Sequence, residues 1–275
     1  MRPVHLLLAC AALAGLLAGC DRQPPATDAV MERTLQVTNG ADRPLPTLLV
    51  HPVTGGRFPV VVFSHGYTRR PEDYRRLLRI WAAAGFIVAA PTFPHSARGS
   101  RRLDDKDIVN QPGDAAAVLT AVLALDGTAG DPLARRVDRA AVAAAGHSLG
   151  GMTTVGMFTK HRDDRLTAGI VLAGGQWPFG VGYSGDPAPI LFVHGRQDTV
   201  VRFEGCTEAY DPLPWPKALL DLANGDHLDP YLGPGTDFDT VAAVTVEFLH
   251  WSLRGDQAAR TRMTAGTRGR LEDRL

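Results

Sequence analysis

Three cysteines are few for 275 residues, and two of them, Cys10 and Cys20, stand at the extreme N-terminus. Only Cys206 remains in the body of the chain. No disulfide can form within that body, and Cys206 reads as a small buried apolar residue rather than a nucleophile. The chain also lacks a charge bias, with 29 Lys+Arg against 29 Asp+Glu and a formal net charge of zero. That argues against a nucleic-acid partner, which a basic face would have to meet. The N-terminal apolar run, Leu6 to Leu17, falls short of the about 20 residues a spanning helix needs. There is no internal repeat and no domain-sized linker. What the chain does have is length and apolar content enough for one large α/β domain.

Arg2 and His5 precede the apolar run and small residues follow it, as in a signal peptide. Leu17-Ala18-Gly19-Cys20 resembles a bacterial lipobox, whose cysteine is lipidated and becomes the first mature residue. The expectation is a signal over residues 1–19 and a lipid anchor at Cys20. A polar tether with Pro24-Pro25 would follow over residues 20–33. Such a protein is exported and held at the cell envelope, on the periplasmic side or the outer face of the cytoplasmic membrane, by a lipid that anchors without spanning. The main domain is expected over residues 34–254. The arginine-rich stretch 255–275 reads as a solvated terminal helix or a frayed end.

Between these ends, apolar runs of strand length alternate with helical stretches. Strands are expected at Leu35–Thr38, Thr47–His51, Phe58–Ser64, Phe86–Ala90, Val137–Gly146, Ala168–Leu172, Ile190–His194 and Ala218–Leu222. Helices are expected at Pro71–Ala84, Pro112–Leu125, Gly151–Thr159 and Phe238–Leu253. This alternation predicts a mostly parallel sheet with helices on both faces. Ligands of such sheets gather at the carboxyl ends of the strands.

Gly146-His147-Ser148-Leu149-Gly150 lies between a strand and a helix. The Gly-x-Ser-x-Gly pattern there allows a sharp turn that holds a serine in a strained backbone with its hydroxyl exposed. A serine hydroxyl needs a base, and the base an orienting carboxylate. In this topology they follow in chain order, each after a strand. Asp198, in Gly195-Arg196-Gln197-Asp198, is the expected acid. His227, in Gly225-Asp226-His227, is the expected base. Asp226 and Asp229 are rival acids, disfavoured because a neighbour of the base rarely turns back to its ring. The backbone N–H groups of Leu149 and Tyr67 are expected to form an oxyanion hole. His65 is expected to hold the Tyr67 loop by hydrogen bonding.

The elbow, His65-Gly66-Tyr67 and the two loops carrying Asp198 and His227 together resemble the α/β-hydrolase superfamily over roughly residues 35–253. Within it the chain is similar to bacterial cutinase-like, chlorophyllase-like and platelet-activating-factor-acetylhydrolase-like serine esterases. Asn110-Gln111-Pro112-Gly113-Asp114 is similar to a helix-opening segment in those groups. The resemblance implies an α/β-hydrolase fold and acyl transfer through Ser148. It also implies that Trp177 lines an acyl groove, faced by Tyr67; a tryptophan plugging a core edge is the alternative. Two departures stand out. Cutinase-like enzymes usually carry a disulfide near the C-terminus, which this chain cannot make. Dienelactone hydrolases share the scaffold but use cysteine where this chain has Ser148.

Other motifs carry less. Gly180-Val181-Gly182-Tyr183-Ser184-Gly185 fits a dinucleotide pattern but opens no helix, because Pro187 and Pro189 follow. Asp104-Asp105-Lys106-Asp107 reads as a solvated loop, with no histidine at ligand spacing. No metal or organic cofactor is expected. The expected activity is hydrolysis of small-molecule or polymeric carboxylic esters through an acyl-enzyme, by a monomer. A thioesterase or peptidase with the same triad, and a non-catalytic binding lipoprotein on the scaffold, are the alternatives. The anchor is testable: Cys20→Ser should move the protein from the membrane fraction to the soluble one, and continued membrane attachment would remove the lipobox reading.

Overall fold

The structure, a computed structural model, describes residues 29–267 and 270–275. The signal, Cys20 and most of the expected tether lie outside the described residues. Strand β1 (Val30–Leu35) is followed by a small hairpin, β2 (Thr38–Asn39) and β3 (Arg43–Pro44), then β4 (Thr47–Pro52) and β5 (Phe58–Ser64). Next come α1 (Arg75–Ala83), β6 (Ile87–Pro91), α2 (Gln111–Ala124), β7 (Val137–His147), α3 (Leu149–Phe158) and β8 (Ala168–Leu172). The chain closes with β9 (Ile190–Gly195), α4 (Phe203–Tyr210), β10 (Lys217–Leu222), α5 (Asp229–Leu232), α6 (Thr236–Arg254), α7 (Gln257–Ala265) and β11 (Arg270–Arg274).

Nine strands form one sheet in the order β1-β4-β6-β5-β7-β8-β9-β10-β11. The six strands from β6 to β10 are parallel, β4 and β11 run antiparallel to them, and β1, paired antiparallel with β4, runs with the central six. This is the α/β-hydrolase fold. Its two faces are read directly from strand alternation. Val60 and Val62 join a core layer with Val118 and Leu119 of α2 and Val155 and Phe158 of α3. Val61 and Phe63 join the opposite layer with Leu77 and Trp81 of α1 and Val241 and Phe248 of α6. The central strands are buried on both sides, which is why they read as unbroken valine, isoleucine and alanine runs. One helical stretch, Asp105–Gly127, is long and apolar enough to cross a membrane. Here its α2 part packs on the sheet through Val118, Leu119 and Val122.

Register decides where the loops meet. Ser64 at the end of β5 pairs with Gly146 near the end of β7. Leu222 at the end of β10 pairs with Gly195 at the end of β9. The loops bearing Tyr67 and Ser148 therefore leave the sheet side by side, as do those bearing Asp198 and His227.

Two boundaries differ from expectation. The tether does not run to residue 33: β1 already begins at Val30, and Arg33 makes a two-pronged ion pair with Asp131 at 2.7 and 2.8 Å. An edge strand alternates only weakly, because neither of its faces is fully covered. The C-terminal stretch is not a loose tail either. It forms α7, with Ala259 and Met263 buried, and then β11, which pairs with β10 from Lys217 to Asp221. The sequence Arg-Leu-Glu-Asp-Arg hides this strand, since charged residues are what a sheet edge carries to refuse further partners. Met263→Ala should cost about 2 kcal/mol or more in chemical denaturation, as for a buried methionine; a change inside about 0.5 kcal/mol would mean the segment is only a solvated appendage.

Candidate active site

Between the last residue of β7 and the first of α3 stands Ser148 alone, with φ 56° and ψ −119°. That left-handed backbone is costly for a residue with a Cβ and must be imposed by its surroundings. The surroundings are tight. A Cβ at Gly150 would collide with the carbonyl of Ser64, and one at Gly146 with the carbonyl of Gly150. Only glycine lets α3 come down this close to β5. The N–H of Ser148 donates to the Leu172 carbonyl at 2.9 Å, tying the turn to β8.

The Ser148 hydroxyl donates to Nε2 of His227 at 2.9 Å, and Nδ1 of His227 donates to Oδ2 of Asp198 at 2.7 Å. Residues 79 and 29 positions apart are thus within direct hydrogen-bond reach. The acid and base loops touch at backbone level: Gln197 N–H donates to the Gly225 carbonyl at 2.9 Å, and a Cβ at Gly195 would strike that same carbonyl. Asp198 is fully buried. Its Oδ1 accepts from the N–H groups of Val200 and Val201 at 2.9 and 2.8 Å. Burial alone would raise its pKa, but hydrogen bonds from His194, His227 and Val201 outweigh it and hold the carboxyl well below the usual range. The rival Asp226 is spent elsewhere, its Oδ1 accepting from the N–H groups of Leu228 and Asp229, both at 2.8 Å.

The N–H groups of Tyr67 and Leu149 find no protein acceptor among the described residues. Leu149 opens α3, so its N–H is one of the orphan donors of a helix N-terminus. Beside them an apolar cluster of Ile108, Leu149 and Phe179 is edged by Tyr67 and Met152. His65 is buried and holds its loop, with Nδ1 donating to the Gly66 carbonyl at 2.8 Å and Nε2 accepting from Phe93 N–H at 3.1 Å. Burial lowers its pKa to about 4, so it stays neutral. Trp177 is 52% exposed on the loop leaving β8 and plugs no core edge. Cys206 is buried in α4, and burial pushes its thiol well above the ordinary value, so it is no rival nucleophile.

Several supporting residues escape sequence reasoning. Arg43 of the β2–β3 hairpin pairs with Asp107 at 2.9 Å and Asp114 at 2.5 Å, while Asn39 donates to Asp114 at 2.9 Å. Gln111 bridges Ser96 at 2.9 Å and Thr153 of α3 at 2.7 Å. These bonds fasten the stretch from Thr92 to Gln111, which supplies Ile108 to the wall. The Asn110–Asp114 segment gave the one sequence signal for them; Arg43 gave none. His194 is a second histidine on the acid, with Nε2 donating to the Val201 carbonyl at 2.7 Å and lying 3.4 Å from Asp198 Oδ2.

A strained serine on a strand–helix turn, in reach of a histidine on a buried carboxylate, is the architecture of a serine-hydrolase site on an α/β-hydrolase fold. The chain belongs to the chlorophyllase family, whose sequence profile matches residues 26–173. That span includes the Tyr67 loop and the elbow but ends before Asp198 and His227. The chain is also similar to cutinase est1 of Thermobifida alba, 26% identical over 186 residues, covering 66% of this chain and 57% of that protein. It therefore spans little more than half the length of that relative. Cutinase 2 of Thermobifida cellulosilytica is 26% identical over 223 residues, covering 76% of this chain and 79% of that protein. Chlorophyllase type 0 of Chenopodium album is 36% identical over 73 residues, covering 24% of this chain and 21% of that protein.

The two candidate acids separate by mutation. Asp198→Asn should lower kcat by about 10⁴-fold, the scale seen when a triad carboxylate no longer fixes the imidazole tautomer. Asp226→Asn should cost far less, and the reverse order would assign the acid to Asp226.

Proposed function

We propose that this protein is a serine hydrolase that cleaves carboxylic esters through an acyl-enzyme. The observation that carries the reading is the unbroken hydrogen-bonded line from Ser148 through His227 to the buried Asp198. Ser148 Oγ attacks the ester carbonyl while His227 Nε2 takes its proton. The N–H groups of Tyr67 and Leu149 receive the negative oxygen of the tetrahedral intermediate. The intermediate collapses, His227 returns the proton to the departing alcohol, and the acyl group stays on Ser148. A water deprotonated by His227 then attacks the acyl carbonyl, the bond to Ser148 Oγ breaks to free the acid, and His227 returns its proton to Ser148. Asp198, held ionised, keeps the imidazole oriented and balances its charge. Every step uses side chains and backbone of this chain alone.

Ester substrates fit the family and the cutinase and chlorophyllase relatives. Polymeric as well as small esters fit a site whose flanking segment, Thr92 to Gln111, is bonded to the body of the protein. Trp177, half-exposed, and Tyr67 are the proposed groove walls. The signal-like N-terminus and Cys20 support export and a lipid anchor, so the catalytic domain would work at the surface of an envelope membrane. The triad alone does not choose among esters, thioesters and amides, because leaving-group preference lies in the shape of the groove.

A panel of short esters, long esters, thioesters and peptide amides tests the reading. Esters should turn over best, and Ser148→Ala should lower that rate roughly a thousandfold or more. Near-wild-type turnover by Ser148→Ala would refute the assignment.

A further inference from the structure

The elbow residue His147 is not used by the reaction described above, yet it is fully buried and bonded at both ring nitrogens. Tyr74 Oη lies 2.8 Å from its Nδ1, and its Nε2 lies 2.8 Å from the carbonyl of His227. The Tyr74 hydroxyl also receives the N–H of Gly66 at 3.1 Å. These three contacts fix every proton in the line. The His227 carbonyl can only accept, so Nε2 of a neutral His147 ring is the donor there, and Tyr74, whose oxygen accepts from Gly66 N–H, turns its single hydrogen to Nδ1. Nδ1 of His147 must then be the bare acceptor, and Nε2 carries the proton given to the His227 carbonyl. The alternative tautomer would set two acceptors, Nε2 and the His227 carbonyl, face to face and leave the Tyr74 hydrogen without its acceptor.

We propose that Tyr74 and His147 are positioning residues, forming one brace that locks the main chain of the base loop at His227 to the oxyanion loop at Gly66-Tyr67. The proposal rests on the ester-hydrolase reading for its kinetic consequence. The brace joins directly the two halves of the site that the sheet links only through β8. The loops of Tyr67 and Ser148 share the β5–β7 side, and those of Asp198 and His227 share the β9–β10 side, with β8 between. His147 spans that gap from the elbow itself. Its ring is packed between those of Tyr231 and His227, with centroids 4.8 and 4.9 Å away. Gly66 is held open for the line as well, since a Cβ there would press within 3.1 Å of His147 Nδ1 and 3.2 Å of Tyr74 Oη.

Only a neutral ring gives every hydrogen in the line an acceptor. A proton on Nδ1 would turn the acceptor toward Tyr74 into a second donor. Burial, reinforced by a charged His227, lowers the His147 pKa to about 3. The groups that face or influence it are Tyr74, Tyr231, His227, Asp198 and, more remotely, Arg69. His147 therefore keeps its donor and acceptor assignment while its neighbour His227 gains and loses protons in each turnover.

Two measurements decide the matter. Long-range nitrogen–proton NMR spectra of the folded protein, with His147 assigned by its loss in His147→Gln, report the tautomer without any need for activity. The expected result is a neutral ring protonated on Nε2 from about pH 5 to 9. An Nδ1-protonated ring, or titration within that range, overturns the brace. Kinetics report its consequence. His147→Phe and Tyr74→Phe should each lower kcat by about ten- to a hundredfold, the loss that follows a small misplacement of reacting groups, with KM little changed. His147→Gln, which keeps one donor and one acceptor, should recover most of that loss. The double variant His147→Phe/Tyr74→Phe should be about as impaired as the worse single variant, because both cut the same line. Multiplying effects, or a glutamine no better than phenylalanine, would reduce the pair to packing. Should His147→Phe not fold, Tyr74→Phe, which loses one oxygen, and the wild-type spectra still decide. A wild-type protein that cleaves no ester would sink the proposed function while leaving the spectral test of the brace intact.

Discussion

The left-handed backbone of Ser148 is the constraint on which the rest of this site depends. It is held by the close approach of α3 to β5, which only Gly150 permits, and by the bond from Ser148 N–H to β8. A serine placed on a gentler turn would point its hydroxyl into the helix or the sheet. Here it faces the loops of β9 and β10, where the proposed acid and base arrive by strand pairing. The same turn leaves the first N–H of α3 without an acceptor among the described residues, as is the N–H of Tyr67. One local strain thus presents the Ser148 hydroxyl and the proposed pair of oxyanion donors to the same small space.

Electrostatics around that space are arranged by burial as much as by charge. His65 and His147 lie on either side of the site and are kept neutral by burial, so each serves as a fixed hydrogen-bonding post. Asp198 is buried too, yet the donors around it keep it ionised. The nearest charge to His227 is therefore a carboxylate, and the neutral ring of His147 packs against the imidazole. That contrast suits a histidine that must accept a proton and then release it. Arg43, Asp107 and Asp114 do a different job at a distance, stitching the hairpin after β1 to α2 and to the segment that carries Ile108.

Local patterns in the sequence carried much of this, and long-range ones did not. Ser148 was legible because glycines at fixed spacing between a strand and a helix have one obvious physical use. Asp198 and His227 were legible as candidates because each follows a buried strand and the chain order suits the topology. Tyr74 looked like any apolar-face residue of a helix, since its hydrogen bonds reach across 73 positions to His147 and depend wholly on packing. Arg43 sits in a hairpin of two-residue arms, too short to show periodicity. Strand β11 is hidden because edge strands are charged, and β1 begins at Val30, ahead of the expected Leu35, because an edge alternates weakly. The family match illustrates the same division. It covers the elbow and the Tyr67 loop and stops at residue 173, so the acid and base rest on the convergence of loops in space.

That convergence is what a covalent probe reads most directly. Treating the folded protein with a fluorophosphonate and mapping the adduct by peptide mass spectrometry should find phosphorus on Ser148 alone, with labelling lost in His227→Ala. Labelling at another residue, or an unlabelled wild type that is otherwise folded, would contradict the account.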